Sequence, residues 1–152
     1  MKRLLPPKHL LCLVFLLGWA GSSLAQDLYF PGASARGEAI LAHPDGAVIV
    51  AGQIRTDPDR PWQLAIWRLD TSGQLIDQQL YGDSLQDGAN CAILTRDGGY
   101  LVAGNGFAAT EGIGREDIKL YKFNPLHELE WIQIHGKEFM DVPFAVKELA
   151  DG

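Results

Sequence analysis

Cysteine is scarce in this chain: of two in 152 residues, Cys12 lies in an N-terminal apolar run and Cys91 stands alone beyond it. One cysteine left after processing excludes an internal disulfide, so the folded domain must rest on its core. Cys91 sits in the apolar run Ala89-Asn90-Cys91-Ala92-Ile93-Leu94 and reads as a small hydrophobe and not as a reactive thiol. Basic residues are also few, with 13 Lys and Arg against 19 Asp and Glu and a formal charge of −6. That balance argues against nucleic acid or an anionic membrane surface as a partner, since both need basic patches to displace counterions. No stretch beyond the N-terminus is long and apolar enough to cross a bilayer, and none carries a helical period over several turns.

The N-terminus reads as a secretory signal peptide over residues 1–25. Lys2, Arg3 and Lys8 precede an apolar run from Leu10 to Ala20, and small residues Ser23 and Ala25 occupy the −3 and −1 positions of a cleavage site. Cleavage after Ala25 removes three basic and no acidic residues, moving the charge from −6 to −9. The expected location is outside the cytoplasm: secreted, at the cell surface or periplasmic.

The mature chain is periodic. Pro44-Asp45-Gly46-Ala47-Val48-Ile49-Val50-Ala51-Gly52 aligns with Arg96-Asp97-Gly98-Gly99-Tyr100-Leu101-Val102-Ala103-Gly104 at an offset of 52, from Asp45 to Asp97. Ile66-Trp67-Arg68-Leu69-Asp70 aligns with Leu120-Tyr121-Lys122-Phe123-Asn124, and Leu80-Tyr81-Gly82 with Ile134-His135-Gly136, at an offset of 54, from Asp70 to Asn124. Asp87 then matches Asp141, and Asp97-Gly98 matches Asp151-Gly152. Each period holds four short strand-like runs bounded by turn residues: Ala39–Ala42, Val48–Val50, Leu64–Leu69 and Leu75–Tyr81, then Cys91–Thr95, Tyr100–Val102, Ile118–Phe123 and Leu129–His135, with Ala145–Leu149 opening a third set. Four strands in about fifty residues is the size of a propeller blade.

The pattern Asp87…Ala92…Asp97-Gly98-Gly99-Tyr100-Leu101-Val102-Ala103-Gly104, then Asp117 to Asn124, Trp131 and Ile134-His135-Gly136, resembles the repeat of bacterial secreted β-propeller proteins, the seven-bladed-propeller repeat group and its relatives. The resemblance runs from Ala39 to Gly152. The first repeat departs from the pattern with Ala47 in place of Gly99, Asp77 in place of Trp131 and Tyr81 in place of His135. What the resemblance implies is architecture and export, with no shared activity and no catalytic residue. The expected fold is all-β, a propeller-like array of four-stranded antiparallel blades. After a lead-in over 26–38, blade one covers about 39–87, blade two about 88–141 and the start of a third 142–152. Blades bury their faces only against neighbours, so missing blades of a longer protein, or self-association, are expected to cover the sheet edges.

Chemical motifs are sparse. Gly104-Asn105-Gly106-Phe107-Ala108-Ala109 fits the G-x-G-x-x-A form, but no helix start follows it, so the strand-and-turn repeat explains it better than a nucleotide site. Asp57-Pro58-Asp59 in one loop, and Glu111, Glu116 and Asp117 in the next, offer oxygen ligands for calcium without the ordered spacing of a calcium loop. The expectation is therefore no cofactor, with calcium the one alternative. His43, His127 and His135 show no metal-ligand spacing, and strand-end or surface positions account for them. No catalytic, cofactor-binding or metal-binding residue is nominated. Trp67 and Trp131 fall in strands and read as packing between blades, whereas Trp62, in a loop, is the aromatic best placed to meet a ligand. The functional expectation is a non-enzymatic exported module that binds an unknown protein or glycan or serves a structural role. Its alternative is an extracellular carbohydrate-active or other hydrolase on the same scaffold, with catalytic residues outside this segment.

Overall fold

The computed structural model describes residues 33–82, 85–107, 116–136 and 138–150. The expected signal peptide and cleavage site after Ala25, Glu111 and Asp151-Gly152 lie outside the described residues. Two four-stranded antiparallel sheets account for every described strand, and no helix is present among the described residues. Sheet one runs β1 (Ser34–Ala42), β2 (Val48–Arg55), β3 (Gln63–Leu69) and β4 (Leu75–Tyr81). Sheet two runs β5 (Asp87–Leu94), β6 (Tyr100–Phe107), β7 (Glu116–Phe123) and β8 (Leu129–His135). In each, strands pair in sequence order as a simple meander.

The two sheets repeat one another in register as well as in sequence. β1 is bulged between Gly37 and Ala39 against β2, and β5 between Ala89 and Cys91 against β6, positions 52 apart. Irregularities at Arg68/Leu69 and at Lys122/Phe123 are 54 apart. The four tight turns share one bonding pattern: the first residue's N–H donates to the fifth residue's carbonyl, and the fourth N–H returns to the first carbonyl. Such a turn places its fourth residue in the left-handed region, which glycine enters without a steric penalty. Gly46, Gly73 and Gly98 hold it in three turns; in the fourth it is His127, at φ 66°.

Local chemistry sets these turns. Asp45 Oδ1 accepts from the Ala47 N–H at 2.8 Å, Asp97 Oδ1 from the Gly99 N–H at 3.0 Å, and Asp70 and Asn124 cap their own turns in the same way. This is the side-chain to backbone bonding, two residues on, for which Asp and Asn are favoured in turns.

Several strands run further than expected. β2 and β6 do not end at Ala51-Gly52 and Ala103-Gly104 but continue to Arg55 and Phe107. Gly106, expected in a variable loop, pairs with Asp87 on one side and Asp117 on the other. β1 starts at Ser34, inside the expected lead-in, and β5 at Asp87, the residue expected to close blade one. The bulge explains the mid-strand glycines: a Cβ on Gly52 would lie 1.9 Å from the Arg36 carbonyl oxygen, and one on Gly104 equally close to that of Gly88. Both obstacles are backbone, so neither can rotate away. Gly104→Ala is expected to lose roughly 1–3 kcal/mol by the scale for overpacking a tight site, read as a lowered urea midpoint. The strand expected at Ala145–Leu149 is irregular instead, because no described strand lies beside it to complete a ladder.

The sheets stack face to face, with β5 lying against β1, β2 and β3. Ala47, Ile49, Ala51, Leu64 and Ile66 from sheet one meet Ala89, Tyr100, Val102, Tyr121 and Phe123 from sheet two in one core. Val50, Ile54, Ala65, Trp67 and Leu69 form a second cluster on the other face of sheet one. In repeat register Tyr100 corresponds to Val48 and Val102 to Val50, residues of that second face. Sheet two therefore turns toward sheet one the face opposite to the one sheet one turns toward it. This is head-to-tail stacking, which leaves each sheet able to receive another of its kind. The same connection begins again further on: the Asp87 N–H donates to the Trp62 carbonyl, and, 54 residues later, the Asp141 N–H donates to that of Glu116, both at 2.8 Å.

Candidate functional site at the seam between the sheets

Within each antiparallel meander the tight turns lie at one end, and in sheet one the longer β2–β3 connection lies at the other. Of the carboxylates considered for calcium, Asp57 and Asp59 sit in the β2–β3 connection, whereas Glu116 and Asp117, expected in a loop, belong to β7 because both pair with β6. Asp57 and Asp59 are exposed, with Asp57 Oδ1 accepting from the Asp59 N–H at 2.9 Å. Glu116 opens β7, half-buried, and accepts a hydrogen bond from the Asn105 amide. Asp117 is buried against Gly136, where a Cβ would overlap its carboxylate. Asp57 and Glu116 thus accept local hydrogen bonds, and Asp117 is packed against Gly136. Trp62 is half-buried, with the guanidiniums of Arg36 and Arg55 at 5.6 and 5.2 Å from its ring centre. Cation–π contacts hold this aromatic, and any ligand reaching it meets positive charge as well as a ring face.

The described residues bring their only His/Cys/Asp/Glu set of metal-ligating geometry together at the tight-turn end. His43 and Asp45 come from the β1–β2 turn, and His127 from the β7–β8 turn, 82 residues away from Asp45. His43 Nδ1 is 2.9 Å from Asp45 Oδ1, and His127 Nε2 is 3.0 Å from Asp45 Oδ2, so the carboxylate spans both imidazoles. The rings lie 4.5 Å apart. Both histidines are buried, at 5 % and 4 % exposure, while the Asp45 side chain keeps 45 % of its surface in solvent. Of the expected strand-end or surface positions, the strand-end location holds for both residues, but neither is exposed, because the stacked sheets cover them. His135 is exposed at the end of β8 and lies within 3.4 Å of Gln133 Oε1.

The surroundings of the cluster are built by sheet two. His43 Nε2 is 2.9 Å from the Gly98 carbonyl oxygen, a direct bond from one sheet to the turn of the next. Tyr100 lies beneath both imidazoles, edge-on to His43 at 6.1 Å and 5.8 Å from His127, and stacks on Phe123 at 4.7 Å. Burial pushes the Tyr100 phenol up, so the floor stays neutral and apolar. The Asp45 carboxyl is held well below the usual range, chiefly by His127, then by the Ala47 N–H and by His43. Its counterpart Asp97 is lowered to about 2 by the Lys122 ammonium, the Thr95 hydroxyl and the Gly99 N–H. Beside Asp45 an open groove of about 270 Å³ runs past Ala47, Arg68, Asp70 and Ile76, and the buried Arg68 Nε there has no hydrogen-bond partner.

Cys91 is a free thiol, partly buried in β5, and burial raises its pKa. A raised thiol is a poor nucleophile, in keeping with a packing role. Trp67 is buried and donates from Nε1 to Gln78 Oε1 at 2.9 Å, while Trp131 is exposed at 38 %. Of the two tryptophans expected between blades, the described contacts bury only Trp67.

Set beside known proteins, the chain matches no family model and no curated protein.

Proposed function

We propose that this chain is an exported, non-enzymatic repeat module of the β-propeller type, acting through binding or as a structural element at the cell surface or outside the cell. The head-to-tail stacking of two sheets with the same bulges and turns carries this reading. Such stacking propagates by repetition and presents turn ends, not strand faces, to solvent. The N-terminal sequence supports export. No helix among the described residues is long and apolar enough to cross a membrane. The ligand-facing surface is the tight-turn end, where the groove beside Asp45 joins Arg68 to Asp70. A cationic, partly exposed Arg68 lining the groove suits an anionic or hydroxyl-rich ligand, such as an acidic glycan or a carboxylate-bearing peptide.

The test is glycan-array and cell-surface binding by the purified protein, with Arg68→Ala alongside and a hydrolase substrate panel run in parallel. Retention of an acidic glycan or surface fraction, weakened by Arg68→Ala, supports a binding module. Turnover of any panel substrate without measurable retention overturns it in favour of the hydrolase alternative.

A further inference from the structure

We propose that His43, Asp45 and His127 bind one divalent transition-metal ion of the Zn²⁺ class, which staples the two sheets across their seam. The hydrogen bonds of His43 leave an electrostatic conflict at its other ring nitrogen. The Gly98 carbonyl at 2.9 Å can only accept, so His43 Nε2 carries the hydrogen there. In a neutral imidazole that leaves Nδ1 with a lone pair, which receives only a long 3.5 Å contact from the Asp45 N–H and lies 2.9 Å from a carboxylate oxygen. Two lone pairs at that distance call for a cation between them. A nitrogen ligand whose other ring nitrogen donates to a backbone carbonyl is also the usual arrangement of a metal-bound histidine.

The spacing fits a metal. The three candidate ligand atoms lie within 4.8 Å of one another, and tetrahedral bonds of about 2.0–2.1 Å place ligand atoms about 3.3 Å apart. Small side-chain rotations close the set, and three protein ligands leave a fourth position on the solvent side of Asp45. Two imidazoles with one carboxylate favour Zn²⁺, Cu²⁺ or Ni²⁺ over Ca²⁺ and Mg²⁺, which prefer all-oxygen shells.

A second observation is independent of these distances. His127 holds the left-handed position that Gly46, Gly73 and Gly98 hold in the other three turns. A β-carbon there costs conformational energy, and sites that bear such strain concentrate where a side chain is needed for function. Its Nε2 faces Asp45 Oδ2 at 3.0 Å while Nδ1 is buried without a hydrogen-bond partner, so the protein alone leaves this imidazole half satisfied.

The test uses the metal-stripped protein with Zn²⁺ alone as probe, reading stoichiometry by elemental analysis after dialysis, affinity by calorimetry, and Tm with and without chelator. One Zn²⁺ per chain is expected, with a Tm that rises on loading, since an ion bound only by the folded state stabilises it. His127→Gly suits the backbone of its turn, so the variant is expected to fold, and it should lose affinity by at least the roughly 10–100-fold typical of weaker disturbances around a metal. His135→Gln should bind as the parent does. Failure of the parent to retain Zn²⁺, retention unchanged in both His43→Gln and His127→Gly, loss of binding in His135→Gln, or tighter binding of Ca²⁺ than of Zn²⁺ would each overturn the assignment.

Discussion

Asp87→Ala is expected to destabilise the fold by about 3–5 kcal/mol, the cost of leaving one buried charge without its partner. Asp87 is fully buried at the first position of β5, and Lys119 Nζ reaches its Oδ1 at 2.5 Å, with the Tyr121 hydroxyl at 3.4 Å. Lys119 itself is buried on β7, where the first sheet has Ala65. Removal of the carboxylate leaves an ammonium inside the seam, where water cannot replace the lost interaction. The pair as a whole is another matter, because desolvation offsets most of its attraction. The double variant Asp87→Leu/Lys119→Met should therefore recover most of the loss. Urea unfolding followed by tryptophan fluorescence measures both, and a single-variant loss below about 1 kcal/mol would mean that the pair behaves as an exposed one.

Tyr100 separates packing from polarity at a single position. Its ring is fully buried, stacks on Phe123 and underlies both seam histidines. Tyr100→Ala should cost about 3–5 kcal/mol, as large-to-small changes of buried aromatics do. The hydroxyl contributes nothing comparable, being buried without a hydrogen-bond partner. Tyr100→Phe removes that unsatisfied group and leaves the ring, so stability should hold or rise by roughly 1 kcal/mol. A loss of similar size in both variants would show that the hydroxyl is bonded and that the seam is arranged differently.

The parts of this fold legible in the sequence are those set by neighbours in the chain. The Asp-Gly turns at Asp45 and Asp97, the strands opening at Val48 and Tyr100, and β4 and β8 over Leu75–Tyr81 and Leu129–His135 all depend on local turn bonding and short apolar runs. The parts that local sequence does not show depend on a partner strand. Ser34–Gly37 and Asp87–Ala89 carry little alternation, yet they extend β1 and β5 because β2 and β6 offer unpaired backbone beside them. Glycine then reads as a strand exit, whereas Gly52 and Gly104 are mid-strand residues facing the carbonyls of a bulge.

The histidine cluster was hidden for a different reason. No spacing rule joins His43 to His127, since their approach depends on the stacking of one sheet on the next. One local signal did exist: aligned on the period, His127 takes the place of Gly73, and a side chain where the repeat uses glycine is a departure with a conformational cost.

The head-to-tail seam is tested most directly by ring-to-ring NOEs in the isotope-labelled protein. Tyr81 of sheet one lies 5.4 Å from Phe123 and 6.0 Å from Tyr121 of sheet two, and His43 lies 4.5 Å from His127. Cross-peaks between these rings, together with the antiparallel ladder contacts inside each sheet, are the predicted result. Intact ladders without any of the three cross-sheet contacts would contradict the stacking on which the proposed function and the metal staple both rest.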